Sequence, residues 1–230
     1  MEKNYYLVLD VETANSFQCP LVYDLGFAVV DRNGKIYHAE SFIVSDIFYQ
    51  EAEKMKTAYY AKKIPLYLEG IANKLFNVVT FTEAKNRIAE VIKEWKIKEA
   101  GAYNMGFDSR ALGTTQKYLS KSSIIQFLPE GIKTFCIWHM ACQVLCTQKG
   151  FVKFCLDNNF ISKAGNIKTS AEVVYRYLIK DEQFIESHTG LADVLIEVQI
   201  MAKCFAQHKK MSRNVNRACW RIPQKKREVK

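Results

Sequence analysis

The sequence has no long hydrophobic run, and its cysteines follow no regular pattern. No stretch approaches the roughly 20 consecutive apolar residues that a membrane-spanning helix needs. The first apolar run is too short for the core of a signal peptide, so we expect neither a leader nor a membrane partner. Seven cysteines at irregular spacings in 230 residues do not indicate a disulfide framework. We therefore expect a soluble, cytoplasmic protein with reduced thiols.

Internal repeats and low-complexity linkers are also missing before residue 208. With 49% hydrophobic residues the chain can bury a sizeable core, and we predict one domain over residues 1–207. Residues 208–230 contain nine Lys or Arg and one acid, a net charge of +8 out of a total of +9. We predict a basic C-terminal tail there, which either binds a polyanion by counterion release or is only solvated.

The hydrophobic pattern predicts an antiparallel start followed by alternating strands and helices. Asn33-Gly34 indicates a tight hairpin, because this dipeptide tolerates the positive φ that such turns need. We predict an α/β protein whose mixed sheet, an antiparallel three-stranded meander followed by two parallel strands, is flanked by helices. The predicted strands cover residues 5–9, 25–30, 36–44, 100–103 and 132–136.

Helical periodicity and composition predict the remaining elements. Thr82 is the predicted N-cap of the second helix. The first helix interleaves lysines with tyrosines, a composition that could track a single strand by charge and stacking. We favour an ordinary amphipathic helix with a solvated lysine face. The predicted helices cover residues 48–63, 82–98, 108–119, 137–146, 152–159, 169–179 and 188–207.

Two carboxylates follow the first predicted strand. Side chains on a strand alternate between its faces, so Asp10 and Glu12 project to the same side, about 7 Å apart. Two negative charges this close repel each other unless a cation lies between them, and a divalent ion with oxygen ligands is the natural candidate. Alternatively, the pair forms a solvated strand end.

Three more polar residues occur where predicted strands and helices meet. Asp108 follows the fourth strand, and His188 and Asp193 lie near the start of the last helix. Taken singly, each has a simpler interpretation. Asp108 would be a helix-start residue that interacts with the dipole, His188 a polar loop residue, and Asp193 an exposed helix carboxylate.

Taken together, these residues have the order and spacing of a known set of motifs. The segments are residues 9–13 (LDVET), 103–108 (YNMGFD) and 188–193 (HTGLAD). The sequence resembles the DEDDh family of 3′→5′ exonucleases, a ribonuclease H-like group that includes proofreading subunits and RNase T-like enzymes. The resemblance covers roughly residues 5–205 and leaves out the basic tail.

The resemblance implies a metal-dependent 3′→5′ exonuclease that hydrolyses single-stranded nucleic acid, DNA in preference to RNA, and releases 5′-nucleoside monophosphates. Two Mg²⁺ ions, replaceable by Mn²⁺, would be held by Asp10, Glu12, Asp108 and Asp193. His188 would be the general base that deprotonates the attacking water.

The resemblance also implies substrate contacts. The family holds the 3′ terminus against the backbone after the first motif, which here means Thr13 and Ala14. Asn104 would lie near the terminal nucleotide, and we predict Phe17 as a stacking residue. The implied partner is a single strand with a free 3′ end. A polymerase or another replication protein is an alternative partner for the tail.

The sequence departs from the family at three places. Gly190 stands where the family usually has alanine, a difference that we expect to be harmless. Residues 163–186 resemble an insertion, and residues 48–67 an elaboration. We expect both to affect the choice of substrate more than catalysis.

Other functions remain as alternatives. The same fold could carry an inactive nucleic-acid-binding or polymerase-associated module, or an endonuclease of the ribonuclease H-like group. A structural zinc site is suggested by Cys136, His139, Cys142 and Cys146, but one short helix cannot arrange four donors tetrahedrally around an ion. We therefore predict core cysteines.

Overall fold

A six-stranded mixed sheet forms the centre of the protein, whose computed structural model describes residues 4–121 and 123–228. The strand order is β4-β3-β2-β1-β5-β6. The strands are β1 (Tyr5–Ala14), β2 (Leu21–Asp31), β3 (Ile36–Val44), β4 (Asn77–Val79), β5 (Glu99–Ala102) and β6 (Lys133–Cys136).

The strand directions confirm the predicted sheet and add one strand to it. β1, β2 and β3 form the antiparallel meander, and β5 and β6 continue parallel to β1. β4 pairs in parallel with β3 and was not predicted. With three residues it is too short to show an alternating pattern.

β1 and β2 are both longer than predicted. β1 continues to Ala14, so Asp10 and Glu12 lie inside the strand and not after its end. The pairing with β2 shifts register between Glu12 and Thr13, which marks an irregularity beside the carboxylates. β2 begins at Leu21 and is buried along its whole length.

Helices cover both faces of the sheet. Within the described residues, no helix has the length and apolarity that crossing a bilayer requires. The helices are α1 (Ser45–Phe48), α2 (Ala52–Met55), α3 (Ile64–Ala72), α4 (Phe81–Glu94), α5 (Met105–Ser120), α6 (Ile137–Val144), α7 (Lys149–Asp157), α8 (Ala171–Ile179), α9 (Gly190–Phe205) and α10 (Arg221–Glu228), with a 3₁₀ turn at Ala61–Lys63.

The single helix predicted over residues 48–63 is wrong. The chain leaves helical geometry at Glu51 and again at Tyr60, which divides this stretch into α1, α2 and the 3₁₀ turn. Phe48, Met55 and Ala58 of this interrupted stretch are all buried in the same core cluster. Tertiary packing therefore overrides helical composition here.

The predicted N-cap at Thr82 is also wrong, because the cap is Thr80. The Thr80 hydroxyl accepts a hydrogen bond from the Glu83 backbone N–H at 3.2 Å. The Glu83 carboxylate accepts one from the Thr80 backbone N–H at 2.7 Å. This reciprocal pair is a capping box, and it starts α4 at Phe81.

The core consists of two apolar clusters, one on each face of the sheet. Leu9 and Val11 belong to the cluster under α4 and α5, whereas Val8 belongs to the one under α6 and α9. Because side chains alternate along a strand, Asp10 and Glu12 share the face of Val8. α9 packs on β1 and β2, so both carboxylates project toward that helix.

The described part of the basic tail packs against the rest of the protein. The backbone N–H of Cys136 donates to the Arg213 carbonyl at 2.8 Å, and Cys219 is fully buried. Arg213 also forms an ion pair with Glu99 at 2.9 Å. The division between a domain at 1–207 and a tail at 208–230 stays a prediction.

Candidate active site

Asp10 and Glu12 are held on β1 in an environment that disfavours their charge. Burial and the neighbouring charge of Asp193 raise the pKa of Glu12 to about 9. Burial, followed by the charges of Glu197 and Asp108, holds the pKa of Asp10 well above its ordinary value. In the absence of a cation, these carboxyls therefore favour their neutral forms.

Asp108 reaches the same region from α5. The chain enters this helix through Asn104, whose φ of 71° is left-handed, a conformation that asparagine tolerates. The Asp108 carboxylate accepts hydrogen bonds from its own backbone N–H and from that of Val11, which lies between the two β1 acids. Burial raises the pKa of Asp108 to about 8.

The start of α9 is fixed against β2 by a buried carboxylate and a pair of glycines. Asp24 Oδ2 accepts hydrogen bonds from the Gly190 backbone N–H at 2.9 Å and from the Tyr67 hydroxyl at 2.7 Å. A Cβ on Gly190 would lie 2.6 Å from the Gly26 nitrogen. An alanine would therefore force a shift of α9, and Gly26 is the residue that pairs with Asp10.

Three side chains from two distant parts of the sequence form one cluster at this point. Ligand atoms of Glu12, His188 and Asp193 all lie within 4.8 Å of one another. His188 Nδ1 lies 3.8 Å from Asp193 Oδ2 and 3.7 Å from Glu186 Oε2. Burial and the charge of Asp193 raise the pKa of Glu186 to about 7.

The segment that was predicted as a substrate-choice elaboration contacts the histidine. The Tyr60 ring stacks on His188 with centroids 4.2 Å apart and an interplanar angle of 16°. Lys63 donates to the backbone carbonyl oxygens of Ser187 and His188. Residues 60–63 therefore hold the histidine in position.

The residues predicted to contact the substrate lie at the end of β1, in the loop after it and at the start of α5. Thr13 is partly exposed beyond the register shift, and Ala14 is buried at the end of β1. Asn104 is partly exposed at the start of α5 and makes no side-chain capping bond. Phe17 is 69% exposed and stacks on Phe107 with centroids 5.7 Å apart.

Glu197 is a site residue that the sequence analysis missed. It lies on α9 one turn after Asp193 and is only 2% exposed. Its carboxylate accepts a hydrogen bond from the backbone N–H of Tyr103. Burial and the charge of Asp108 hold its pKa well above the ordinary value. The i, i+4 spacing from Asp193 was the signal that could have identified it.

The cysteine-rich α6 region contributes to the core. Cys136, His139, Cys142 and Cys146 are all buried, and the cysteines are free thiols, which confirms the prediction of core cysteines. His139 Nδ1 lies 2.8 Å from the Asn214 carbonyl oxygen and so contacts the C-terminal segment.

The donor set of the cluster fits a divalent cation. Asp108 Oδ2, Asp193 Oδ1 and Glu197 Oε2 are buried and have no hydrogen-bond partner. Buried carboxylate oxygens without partners are costly, and a cation would satisfy them and offset the repulsion among these acids. Carboxylate oxygens are the ligands that Mg²⁺ prefers. The set of residues therefore has the chemistry of a hard-cation site.

Comparisons with known proteins detect similarity in structure alone. No family model matches the sequence, and no curated protein matches it. The structure is similar to E. coli exonuclease I in complex with a 5cy-dT13 oligonucleotide, with a TM-score of 0.53 and 10% identity over 89% of this chain and 42% of that one. It is similar to the cell-death related nuclease CRN-4, with a TM-score of 0.53 and 13% identity over 92% of this chain and 67% of that one.

The chain spans about two fifths of the length of the exonuclease I structures that it matches. At identities of 10% and 13% these likenesses establish the fold. They agree with the resemblance deduced from the three motifs and with the observed order of strands. The chain therefore shares the fold of exonuclease I and CRN-4, a mixed six-stranded sheet flanked by helices.

Proposed function

We propose that this protein is a metal-dependent 3′→5′ exonuclease that hydrolyses single-stranded nucleic acid, with DNA preferred to RNA, and releases 5′-nucleoside monophosphates. One observation carries the proposal. Glu12, His188 and Asp193 converge within 4.8 Å beside Asp108, which has a buried carboxylate oxygen without a partner. An ordinary structural core would not collect this many buried acids whose oxygens have no partner.

Asp10, Glu12, Asp108 and Asp193 would hold two Mg²⁺ ions, which Mn²⁺ can replace. When bound, such ions supply a nucleophilic hydroxide near neutral pH and stabilise the charge of the leaving oxygen. The backbone N–H of Val11 orients Asp108 toward the β1 acids. The closely packed start of α9 brings Asp193 to the same point.

His188 would take the proton from the attacking water. Its Nδ1 lies 3.7 Å from the Glu186 carboxylate and 3.8 Å from the Asp193 carboxylate. Stacking on Tyr60 restricts the ring to one orientation. This arrangement has the geometry of a positioned general base.

The substrate proposal is supported by residues at the end of β1 and at the start of α5. Thr13 and Ala14 end β1 where a 3′ terminus would be held, Asn104 starts α5, and exposed Phe17 offers a face for a base. The exonuclease I neighbours were solved with single-stranded DNA. We favour DNA on this basis.

The decisive experiment uses 5′-labelled single strands of DNA and RNA with free 3′ ends. They are incubated with the protein in Mg²⁺, in Mn²⁺ or in EDTA, and the products are separated by length. We expect a ladder that shortens from the 3′ end, requires the metal and is lost in Asp10→Asn. Asp157→Asn is the matched control, because Asp157 is an exposed carboxylate on α7 that pairs with Lys153.

The more rapidly degraded strand identifies the substrate class. Binding without cleavage in either metal would refute the proposed enzymatic activity. The protein would then be an inactive nucleic-acid-binding module. Internal cuts in a strand with a blocked 3′ end would indicate an endonuclease instead.

A further inference from the structure

A groove runs along the outer face of α5 and ends at the C-terminal segment. Its volume is about 780 Å³. α5 contributes Gly106, Arg110, Gly113 and Lys117, which are spaced four, three and four residues apart and so share one face of the helix. The opposite wall is formed in part by Val215 and Arg217.

The groove and the candidate active site use the same helix. Asp108, Ala111, Leu112 and Thr115 are buried on the inner face of α5, toward the sheet. The outer face of α5 is therefore one helix diameter away from a proposed metal ligand. Nothing in the three motifs accounts for this outer face.

Phe17 connects the end of β1, the strand that carries Asp10 and Glu12, with the groove. It lies in the loop after β1, three residues beyond Ala14. The guanidinium of Arg110, a residue that lines the groove, lies 4.6 Å from the centre of the Phe17 ring. An exposed aromatic ring that is supported by a cation is a platform on which a base can stack.

The charge of the groove is positive and uncompensated. The residues that line it include Arg110, Lys117 and Arg217 but no Asp or Glu. Within residues 4–121 and 123–228, neither Lys117 nor Arg217 forms an ion pair with a carboxylate. Arg217 Nε would lie 4.0 Å from a Cβ placed on Gly106, so the guanidinium crosses the first turn of α5. The helix dipole adds positive potential there.

This charge distribution selects one kind of occupant. An apolar floor with three cations and no acid suits a polyanion that carries flat apolar groups, which describes single-stranded nucleic acid. A polypeptide segment would need acidic residues at matching positions. From Gly106 to Lys117 the helix face is about 17 Å long, enough to follow more than one nucleotide.

We propose that this groove binds the nucleotides upstream of the 3′ end that occupies the active site. A base stacks on Phe17, and Lys117 and Arg217 contact phosphates. The proposal rests on the proposed function, because it takes the bound polyanion to be the substrate strand. It also gives the basic C-terminal segment a specific role as one wall of the substrate path.

The test compares the double variant Lys117→Ala/Arg217→Ala with the wild-type protein in EDTA, where no cleavage occurs. Fluorescence anisotropy measures binding of a 5′-labelled trinucleotide and of a long oligothymidylate over a range of salt concentrations. We expect the long strand to bind about tenfold more weakly, and the slope of log K against log salt to fall by about 0.7 for each phosphate that the variant no longer neutralises. Binding of the trinucleotide should not change.

Arg32→Ala/Lys35→Ala is the matched control. These two cations lie in the hairpin between β2 and β3, at the opposite end of β1 from Glu12, because Tyr5 pairs with Asp31 and Glu12 pairs with Asp24. The control removes the same amount of charge and should retain full affinity. The proposed role of the groove would be refuted if both double variants lost affinity equally. It would also be refuted if Lys117→Ala/Arg217→Ala bound the long strand as well as the wild-type protein does.

Cleavage assays separate this proposal from the proposed function. If the enzyme is active and the groove is its substrate path, the groove variant raises KM for the long strand and leaves kcat unchanged. If the wild-type protein binds the long strand through these residues but cleaves nothing, the proposed exonuclease activity is refuted and the binding role of the groove is supported. If the groove variant cleaves normally with an unchanged KM, the exonuclease activity is supported and the groove is not its substrate path.

Discussion

At the scale of single residues, the candidate site is an accumulation of negative charge that the fold does not neutralise by itself. Glu12, Asp108 and Glu197 are buried, and the pKa of each is raised. The nearby cation that lowers the pKa of Glu12 is Lys63. The metal-free protein therefore folds at a cost that a bound cation would remove.

This cost predicts how stability depends on pH. The pKa is raised to about 9 for Glu12 and to about 8 for Asp108, whereas both groups titrate near pH 4 in the unfolded chain. Between these limits the folded state binds more protons than the unfolded state, so the free energy of unfolding falls as pH rises. Thermal melts in EDTA from pH 5 to pH 9 should show a decreasing Tm.

Two comparisons check the origin of this pH dependence. Saturating Mg²⁺ should flatten the curve, since a cation stabilises the ionised carboxylates. Glu12→Gln should also flatten it, whereas Asp157→Asn should not. A Tm that rises steadily with pH in EDTA would contradict the assignment of raised pKa values to these acids.

Glu197 should have opposite effects on stability and on metal binding. Glu197→Gln keeps an oxygen to accept the Tyr103 N–H but removes a buried ionisable group beside Asp10 and Asp108. We expect the metal-free Tm to rise by a few degrees, since 1 kcal/mol corresponds to about 2–4 °C in a chain of this size. We expect Mn²⁺, measured by calorimetry, to bind about tenfold more weakly.

Glu94→Gln, at an exposed position on α4, is the control for Glu197→Gln and should change neither quantity. If Glu197→Gln leaves Mn²⁺ affinity unchanged, Glu197 is a buried acid with no role in the metal site. Because the measurement uses bound metal and melting temperature, it does not depend on finding the right substrate.

The residues that could be predicted from the sequence are those whose role is visible locally. Asp10 and Glu12 follow a strand pattern, and His188 and Asp193 have a fixed spacing across the start of α9. Asp24 is different, because its partner Gly190 is 166 residues away along the chain. Glu186 and Glu197 likewise have no distinguishing pattern in the sequence, and their pKa values are raised because the fold places them away from solvent.

At the scale of elements, the segment between β3 and α4 shows how function can depend on irregular structure. In a continuous helix over 48–63, Tyr60 and Lys63 would belong to the same straight helix as Phe48. The observed breaks at Glu51 and Tyr60 instead bring both side chains to the histidine before α9. Element types were predictable from periodicity, but these breaks depend on contacts with residues 187–188.

Tyr60 should therefore affect the rate of hydrolysis through the orientation of His188. Tyr60→Phe keeps the stacked ring and should retain kcat, whereas Tyr60→Ala frees the imidazole. An aromatic pair contributes about 0.5–1.5 kcal/mol, so we expect kcat to fall by up to about tenfold. Steady-state kinetics should show this loss with little change in KM, and with the phenylalanine variant as the internal control.

Tyr59→Ala is the neighbouring control, since the Tyr59 side chain is exposed and contacts Tyr60. A loss in Tyr60→Ala that appears in KM and not in kcat would mean that Tyr60 binds substrate instead. A loss shared by Tyr60→Phe would point to its hydroxyl.

At the scale of the whole molecule, net charge and packing give different views of the C-terminal segment. The sequence shows nine cations in residues 208–230, a pattern typical of a solvated or polyanion-binding tail. The described part of it is built into the fold through Arg213, Cys219 and Gln224. Charge composition could not reveal this, because the contacts are to Glu99, Cys136 and Ile167.

Gln224 provides the sharpest test of whether this segment stabilises the protein. Its amide accepts from the Ile167 N–H at 3.0 Å and donates to the Ile167 carbonyl at 3.1 Å. Gln224→Ala leaves both buried backbone groups without partners, at a cost of about 1–3 kcal/mol. Thermal melting should show Tm lower by about 2–4 °C for each kcal/mol. Lys225→Ala, which removes a charge from the same helix, should leave Tm nearly unchanged. If Gln224→Ala melts at the wild-type temperature, the segment is an appendage that the domain does not need, and only its charge matters for function.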